Sequence, residues 1–270
     1  MVECLEVRLP NILMPNHKTP FVTGQIYHIY NRGVEKRTIF TNTQDYFRCV
    51  HDLFEFNDSK ATTPSNLIFK MRYPQKVTAE QLKSCLEVSL PNMPRRDCLV
   101  RILAFCLMPN HFHLLVQQRQ DKGITRFMRK LGTGYTNYFN LKYGRVGSLF
   151  QGVFKAAVVE KDVHFNYLPW YIHTNPLSLF QPSWHKEGLQ DIGAAIEFLE
   201  NYRWSSLLDY WGIKNFPSVI QSQPLLSLLG NPSSTKMKKD FHDWLSDFID
   251  KKKSNTLSAE ALEISLDLNA

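Results

Sequence analysis

Apolar and polar positions first alternate regularly at Gln25-Ile26-Tyr27-His28-Ile29-Tyr30-Asn31-Arg32. β-rich residues at period two predict a first strand there, closed by Asn31-Arg32-Gly33. The period then lengthens. Tyr46, Phe47, Val50, Leu53 and Phe54 fall on one stripe, so a helix is predicted from an Asn42 or Thr43 cap to about Phe56. The apolar run from Ile102 to Val116 predicts strands at 100–109 and 112–118, meeting at the bend around Met108, Pro109 and Asn110. A long helix follows at 124–143, where Phe127, Met128, Leu131, Tyr135, Tyr138 and Phe139 recur near helical spacing. Gly132 and Gly134 weaken it, each by up to about 1 kcal/mol relative to alanine, and allow close backbone approach. After a turn at 144–147 the pattern predicts a strand at 150–160. A helix capped by Asp162 then runs to Thr174 and stops at Asn175-Pro176, with further helices at 190–201 and 235–249.

This order, β-α-(insert)-β-β-α-β-α, predicts an α+β sandwich with helices on one face of an antiparallel sheet. Residues 58–99 carry clusters of Ser, Thr, Asn and Pro and one candidate helix at 78–88, and read as an insertion. The expected partition is an arm at 1–22, a core domain at 23–177, a helical extension at 178–253 and a mobile tail at 254–270.

Composition narrows the class. The 270 residues, 43% hydrophobic, suffice for one well-buried core with appendages. No apolar run approaches the roughly 18 residues of a membrane span. Met1-Val2-Glu3-Cys4-Leu5 does not open a secretory signal. The five cysteines are scattered without a Cys-x-x-Cys, which points to a reducing cytoplasmic setting and away from disulfides or thiolate zinc. Net charge is +7, and its distribution matters more than its size. Lys122, Arg126, Arg129, Lys130, Lys142, Arg145 and Lys155 fall in one segment that contains no Asp or Glu. Bases interleaved with Phe127, Tyr135, Tyr138, Phe139, Tyr143, Phe150 and Phe154 suit a nucleic-acid backbone and unpaired bases; most of these aromatics also suit a helix core.

Two further constellations carry chemistry. His111 and His113 stand one residue apart on a strand, so both imidazoles point to one side. Such a pair offers two ligands to a divalent metal, or two histidines that merely hydrogen-bond. Tyr171 and Asn175 share a helical face at i and i+4. They read as a phenol nucleophile beside a hard amide ligand, or as packing and a helix stop. Pro169 inside that helix predicts a kink or a restart that would displace Tyr171. His164 and His173 read as structural, and His28 on the first strand reads as a candidate neighbour behind the metal ligands, with no firm role assigned.

Met108-Pro109-Asn110-His111-Phe112-His113-Leu114-Leu115, then Gly147-Ser148-Leu149-Phe150-Gln151-Gly152-Val153-Phe154-Lys155, then Tyr171-Ile172-His173-Thr174-Asn175-Pro176 occur in that order. Together they resemble the IS200/IS605-type single-tyrosine HUH transposases, in particular the REP-associated tyrosine transposase branch. Asn31-Arg32-Gly33-Val34 and Tyr202-Arg203-Trp204-Ser205-Ser206 resemble that branch too. The resemblance implies a ferredoxin-like or RRM-like domain, His111, His113 and Asn175 as ligands of Mg²⁺ or Mn²⁺, and Tyr171 as nucleophile. It implies cleavage and strand transfer of single-stranded or hairpin DNA through a 5′-phosphotyrosine link, by a monomer or homodimer in the cytoplasm at the nucleoid. Arg32, Arg126, Arg129, Lys130, Lys142, Arg145 and Lys155 are then the expected DNA contacts. The alternatives are a domesticated DNA- or RNA-binding protein that has lost the chemistry, and a phosphodiesterase using water.

Overall fold

Four strands form where strands are predicted: β1 at Ile26–Arg32, β2 at Val100–Met108, β3 at His111–Gln118 and β4 at Lys155–Val158. The computed structural model describes residues 20–60, 96–159 and 162–253. Most of the expected arm, the body of the insertion with its helix at 78–88, and the tail lie outside the described residues. The four strands form one antiparallel sheet in the order β2-β3-β1-β4. Helices α1 (Thr43–Glu55) and α2 (Gly123–Tyr143) complete the β-α-β-β-α-β unit of a ferredoxin-like α+β fold. Local chemistry sets the helix start: the Asn42 side chain accepts from the Gln44 and Asp45 amides while the Asp45 carboxylate accepts from the Asn42 amide, a reciprocal cap.

The sheet is covered on both faces, which corrects the expectation of helices on one. One face packs Ile29, Phe105, Leu107, Phe112 and Leu114 against Phe47, Val50 and Leu53 of α1 and Phe127, Leu131 and Tyr135 of α2. The other packs Ile26, Ala104, Cys106, Met108 and Leu115 against Trp170, Tyr171 and Ile172 of α3 (Asp162–Thr174). Behind α3 stand α4 (Leu177–Phe180), α5 (Trp184–Glu187), α6 (Ile192–Asn201), α7 (Leu207–Tyr210), α8 (Gln223–Leu228) and α9 (Ser234–Lys253). The physical reason is visible in β2, where every residue from Ile102 to Met108 is buried. A strand buried on both faces reads as a continuous apolar run, not an alternation. β4 is shorter than the expected 150–160, because Phe150 reaches the sheet only through an isolated bridge to Gly33.

The C-terminal helices are joined to the core through the edge of β2. The Leu107 amide donates to the Trp204 carbonyl at 2.9 Å and the Ser206 amide to the Phe105 carbonyl at 3.0 Å. The Ser206 hydroxyl accepts from the Phe105 amide at 2.9 Å. An open strand edge is a template for unwanted pairing, and the Tyr202–Ser206 stretch closes this one. At the base of the insertion the Ser59 amide donates to the Asp97 carbonyl at 2.9 Å, so the chain leaves and re-enters the core at one place. Among the described residues, no helix is long and apolar enough to cross a membrane.

The two mid-helix glycines of α2 differ in a way that stability measurements will separate. A Cβ on Gly134 would lie 2.4 Å from the buried Phe56 ring, whereas one on Gly132 meets nothing within 4 Å. Urea unfolding should find Gly132→Ala neutral or stabilised by up to about 1 kcal/mol. Gly134→Ala should be the less stable of the two by about 1–3 kcal/mol.

Candidate active site

A two-residue hairpin places the histidines. Met108 pairs with His111, so Pro109 and Asn110 alone make the turn. Its tip is held from outside the sheet. The Gly33 amide donates to the Asn110 carbonyl at 2.8 Å, and the Ile39 and Phe40 amides donate to the Pro109 carbonyl at 2.8 and 3.0 Å. Gly33 is required by the tight turn that follows it, because a Cβ there would sit 2.3 Å from the Arg37 carbonyl oxygen. On the face toward α3, the rings of His111 and His113 lie 5.0 Å apart between centroids and nearly perpendicular, at 87°.

Both imidazoles are held through Nδ1. The Asn110 amide nitrogen donates to the Lys36 carbonyl at 3.3 Å, which orients that side chain and turns its oxygen to His111 Nδ1 at 2.6 Å. A carbonyl oxygen only accepts, so His111 carries its proton on Nδ1 and its lone pair on Nε2. His113 Nδ1 lies 3.0 Å from His28 Nε2, with the two rings 7° from parallel. His113 Nε2 is buried without a hydrogen-bond partner among the described residues. The sequence offered His28 only as a candidate neighbour of the pair and gave Asn110 no role of its own. Asn110 was visible only as part of a bend. His28 becomes a neighbour through register, since β1 sets Tyr30 opposite His113 and Arg32 opposite His111.

Pro169 does not end or restart its helix: α3 runs from Asp162 to Thr174 with the proline inside. Asp162, the expected cap, is the first described residue of that helix. The result is that the Tyr171 ring stands edge-on to His113, 6.4 Å between centroids at 90°, within the same chain. Tyr171 is 2% exposed. Asn175 closes the helix, its amide nitrogen donating to the Tyr171 and Ile172 carbonyls at 3.0 and 3.3 Å. Carbonyl acceptors fix the amide's orientation and leave Oδ1 as its other polar atom. His173 points elsewhere, to the Ser206 hydroxyl at 2.7 Å. The side chain of His164 lies outside the described residues. Among the described residues, no three His, Cys, Asp or Glu side chains are grouped to hold an ion, so His111 and His113 are a two-imidazole pair that needs other donors.

The expected DNA contacts divide into three groups. Arg32 and Lys155 are on the histidine face: Arg32 lies opposite His111 in register, and the exposed Lys155 ammonium stands 5.7 Å from the Tyr30 ring centroid. The Nε of Arg32 is buried without a hydrogen-bond partner among the described residues. Arg129 is exposed on the opposite side, lining a groove of about 470 Å³ with Asn31, Phe112, Thr133 and Phe154. The others have intramolecular partners. Lys142 pairs with buried Asp45 at 2.6 Å, Lys130 donates to the Asp58 and Lys60 carbonyls, Arg126 to the Ser59 carbonyl and Arg145 to the Asn140 side chain. The segment lacks acids in sequence, but Asp45 of α1 lies beside it in space.

Burial keeps the histidines neutral. Desolvation, then the nearby Arg32 charge, lowers His113 to about 3. His111 is held well below the ordinary range by burial, His113 and Arg32, and His28 by burial and His113. Burial alone lowers His173 to about 3. The unfolded chain takes up these protons near pH 6.5, whereas the folded chain resists until much lower pH. Stability is therefore full above about pH 6.5 and falls as pH drops toward 3, by up to about 1.4 kcal/mol per pH unit for each histidine still neutral. Urea unfolding across this window, in wild type and His173→Asn, should give a shallower slope for the variant.

Comparison with known proteins agrees with this assembly in part. Residues 62–175 match the family described as "Transposase IS200 like". No curated protein matches the chain. A solved structure described as "Structure of the REP associates tyrosine transposase bound to a REP hairpin" aligns at 12% identity, covering 77% of this chain and 92% of that one, with a TM-score of 0.41. The matched segment carries His111, His113, Tyr171 and Asn175, and over that segment the chain is similar to IS200-like transposases.

Proposed function

We propose that the protein cleaves and rejoins single-stranded DNA with hairpin ends, using Tyr171 as nucleophile beside a divalent cation. The observation that carries this reading is the edge-on approach of Tyr171 to His113, 6.4 Å between rings, next to a buried Nε2 that lacks a partner among the described residues. The hairpin preference rests on the ordered motifs of the sequence.

The donor set fits a divalent cation. Two imidazoles are already neutral, so binding displaces no proton from them. Mg²⁺ or Mn²⁺ held by His111 Nε2, His113 Nε2 and Asn175 Oδ1 would neutralise charge on the non-bridging oxygens of the scissile phosphate. Three donors are fewer than a closed structural site uses, which leaves room for those oxygens. Arg32 adds a guanidinium on the same face, suited to hold a phosphate. Tyr171 Oη attacks phosphorus and the P–O3′ bond breaks; the proton that the phenol gives up balances the one that the leaving oxygen takes up to become a 3′-OH. The 5′-phosphotyrosine conserves the bond energy, and a different 3′-OH reverses the step. One chain supplies both the imidazoles and the tyrosine, so the reading requires no partner subunit for the first cleavage.

Incubation with end-labelled hairpin DNA tests the nucleophile. Wild type should give a denaturation-resistant protein–DNA adduct only with Mg²⁺ or Mn²⁺, and Tyr171→Phe should give none. The same adduct from Tyr171→Phe sinks the assignment. Cations on the histidine face should also separate in binding from those with intramolecular partners. Arg32→Gln should lower the salt dependence of single-strand affinity by about one counterion. Lys142→Met should leave that slope unchanged and instead cost about 1–3 kcal/mol of folding stability, because it strips a charged partner from buried Asp45.

A further inference from the structure

We propose that His28 is a positioning residue that sets the tautomer of His113, and so decides whether the inward ring nitrogen of His113 presents a lone pair or a hydrogen. The inference rests on the reading of His111 and His113 as the cation site and adds a residue from another strand to it.

The two histidines are not held alike. His111 is paired with the Asn110 side-chain oxygen, which can only accept, so its tautomer has one solution. His113 is paired with a second imidazole, Nδ1 to Nε2 at 3.0 Å, and an imidazole nitrogen can donate or accept. Two neutral arrangements therefore exist. In one, His113 Nδ1–H donates to His28 Nε2; His113 Nε2 then carries a bare lone pair and His28 carries its hydrogen on Nδ1. In the other, His28 Nε2–H donates to His113 Nδ1; His113 Nε2 then carries a hydrogen and cannot ligate.

Burial does not choose between them. His28 Nδ1 and His113 Nε2 are both buried without partners among the described residues. Each arrangement thus leaves one orphan donor and one orphan acceptor, and both are costly. A cation at His113 Nε2 satisfies the orphan acceptor of the first arrangement and is incompatible with the second. His28 makes that selection possible because it can take the role of acceptor while staying packed. It is 1% exposed, stacked on Tyr30 at 5.3 Å, and fixed diagonally to His113 by the β1–β3 register. A phenylalanine at this position would keep the stacking and remove the acceptor. A glutamine would place an amide oxygen near the position of Nε2.

The experiment uses full-length protein labelled with ¹⁵N-histidine. In Mg²⁺-loaded wild type, long-range ¹H–¹⁵N spectra should show the hydrogen on His113 Nδ1, with a ¹⁵N–¹⁵N coupling across the hydrogen bond to an unprotonated His28 Nε2. Mn²⁺ affinity, read by electron paramagnetic resonance, should fall about 10- to 100-fold in His28→Phe. Most of the loss should return in His28→Gln. A hydrogen found on His28 Nε2 in the loaded wild type overturns the proposal, as does His28→Phe binding Mn²⁺ as tightly as wild type. If His28→Phe does not fold, the wild-type coupling and His28→Gln decide, an affinity in His28→Gln as low as that of His111→Ala being contradictory. Failure of the underlying site is distinguishable: in that case Mn²⁺ would not broaden the wild-type His111 and His113 resonances at all.

Discussion

An imidazole buried in a sheet covered on both faces has to be hydrogen-bonded on the ring nitrogen that faces protein, or its desolvation goes uncompensated. Here that requirement is met at Nδ1 of both histidines, by the Asn110 side chain and by His28. The rest of the site follows from it. Fixing Nδ1 fixes the ring planes and leaves Nε2 as the other polar atom of each ring. The elements that make the contacts are the most rigid available: a two-residue hairpin pinned at its tip by three backbone amides, and the two central strands of the sheet. A site built on such elements keeps its geometry without relying on a loop.

The second covered face is what separates this molecule from a bare β-α-β-β-α-β unit. α3 and the helices behind it bury Tyr171 against His113, and the Tyr202–Ser206 stretch ties them to β2. Covering that face also restricts approach to the histidines. The less buried end is the hairpin tip, where His111, Asn110 and Arg32 are only partly buried. The position of Arg32 opposite His111 lowers the imidazole pKa values; under the proposed function it is also the cation that an incoming phosphate would meet at that end.

Much of this was legible in the sequence, and the unread part has identifiable causes. Strand alternation put His111 and His113 on one side, and the Asn42 cap and the helix stop at Asn175 were readable because they are local interactions. The double coverage of the sheet was written in the unbroken apolar run of β2, but a continuous run does not say which elements cover it. His28 could not be assigned because its partnership depends on strand register, a long-range property. The acid-free basic segment looked like one surface because charge was counted along the chain; folding brings Asp45 and the Asp58 carbonyl against Lys142 and Lys130. Pro169 predicted a kink or a restart from a local rule worth about 3 kcal/mol; the helix does not restart there, and Leu168, Trp170 and Ile172 pack around the proline in the core.

The central claim is that two neutral imidazoles on β3 form a cation site within reach of Tyr171 of the same chain. Crystals grown with Mn²⁺ and measured near the manganese absorption edge test it most directly. The account predicts an anomalous peak bonded to Nε2 of both His111 and His113, on the side of the Tyr171 ring. A peak at any other ligand set, or none at these nitrogens under saturating Mn²⁺, would contradict it.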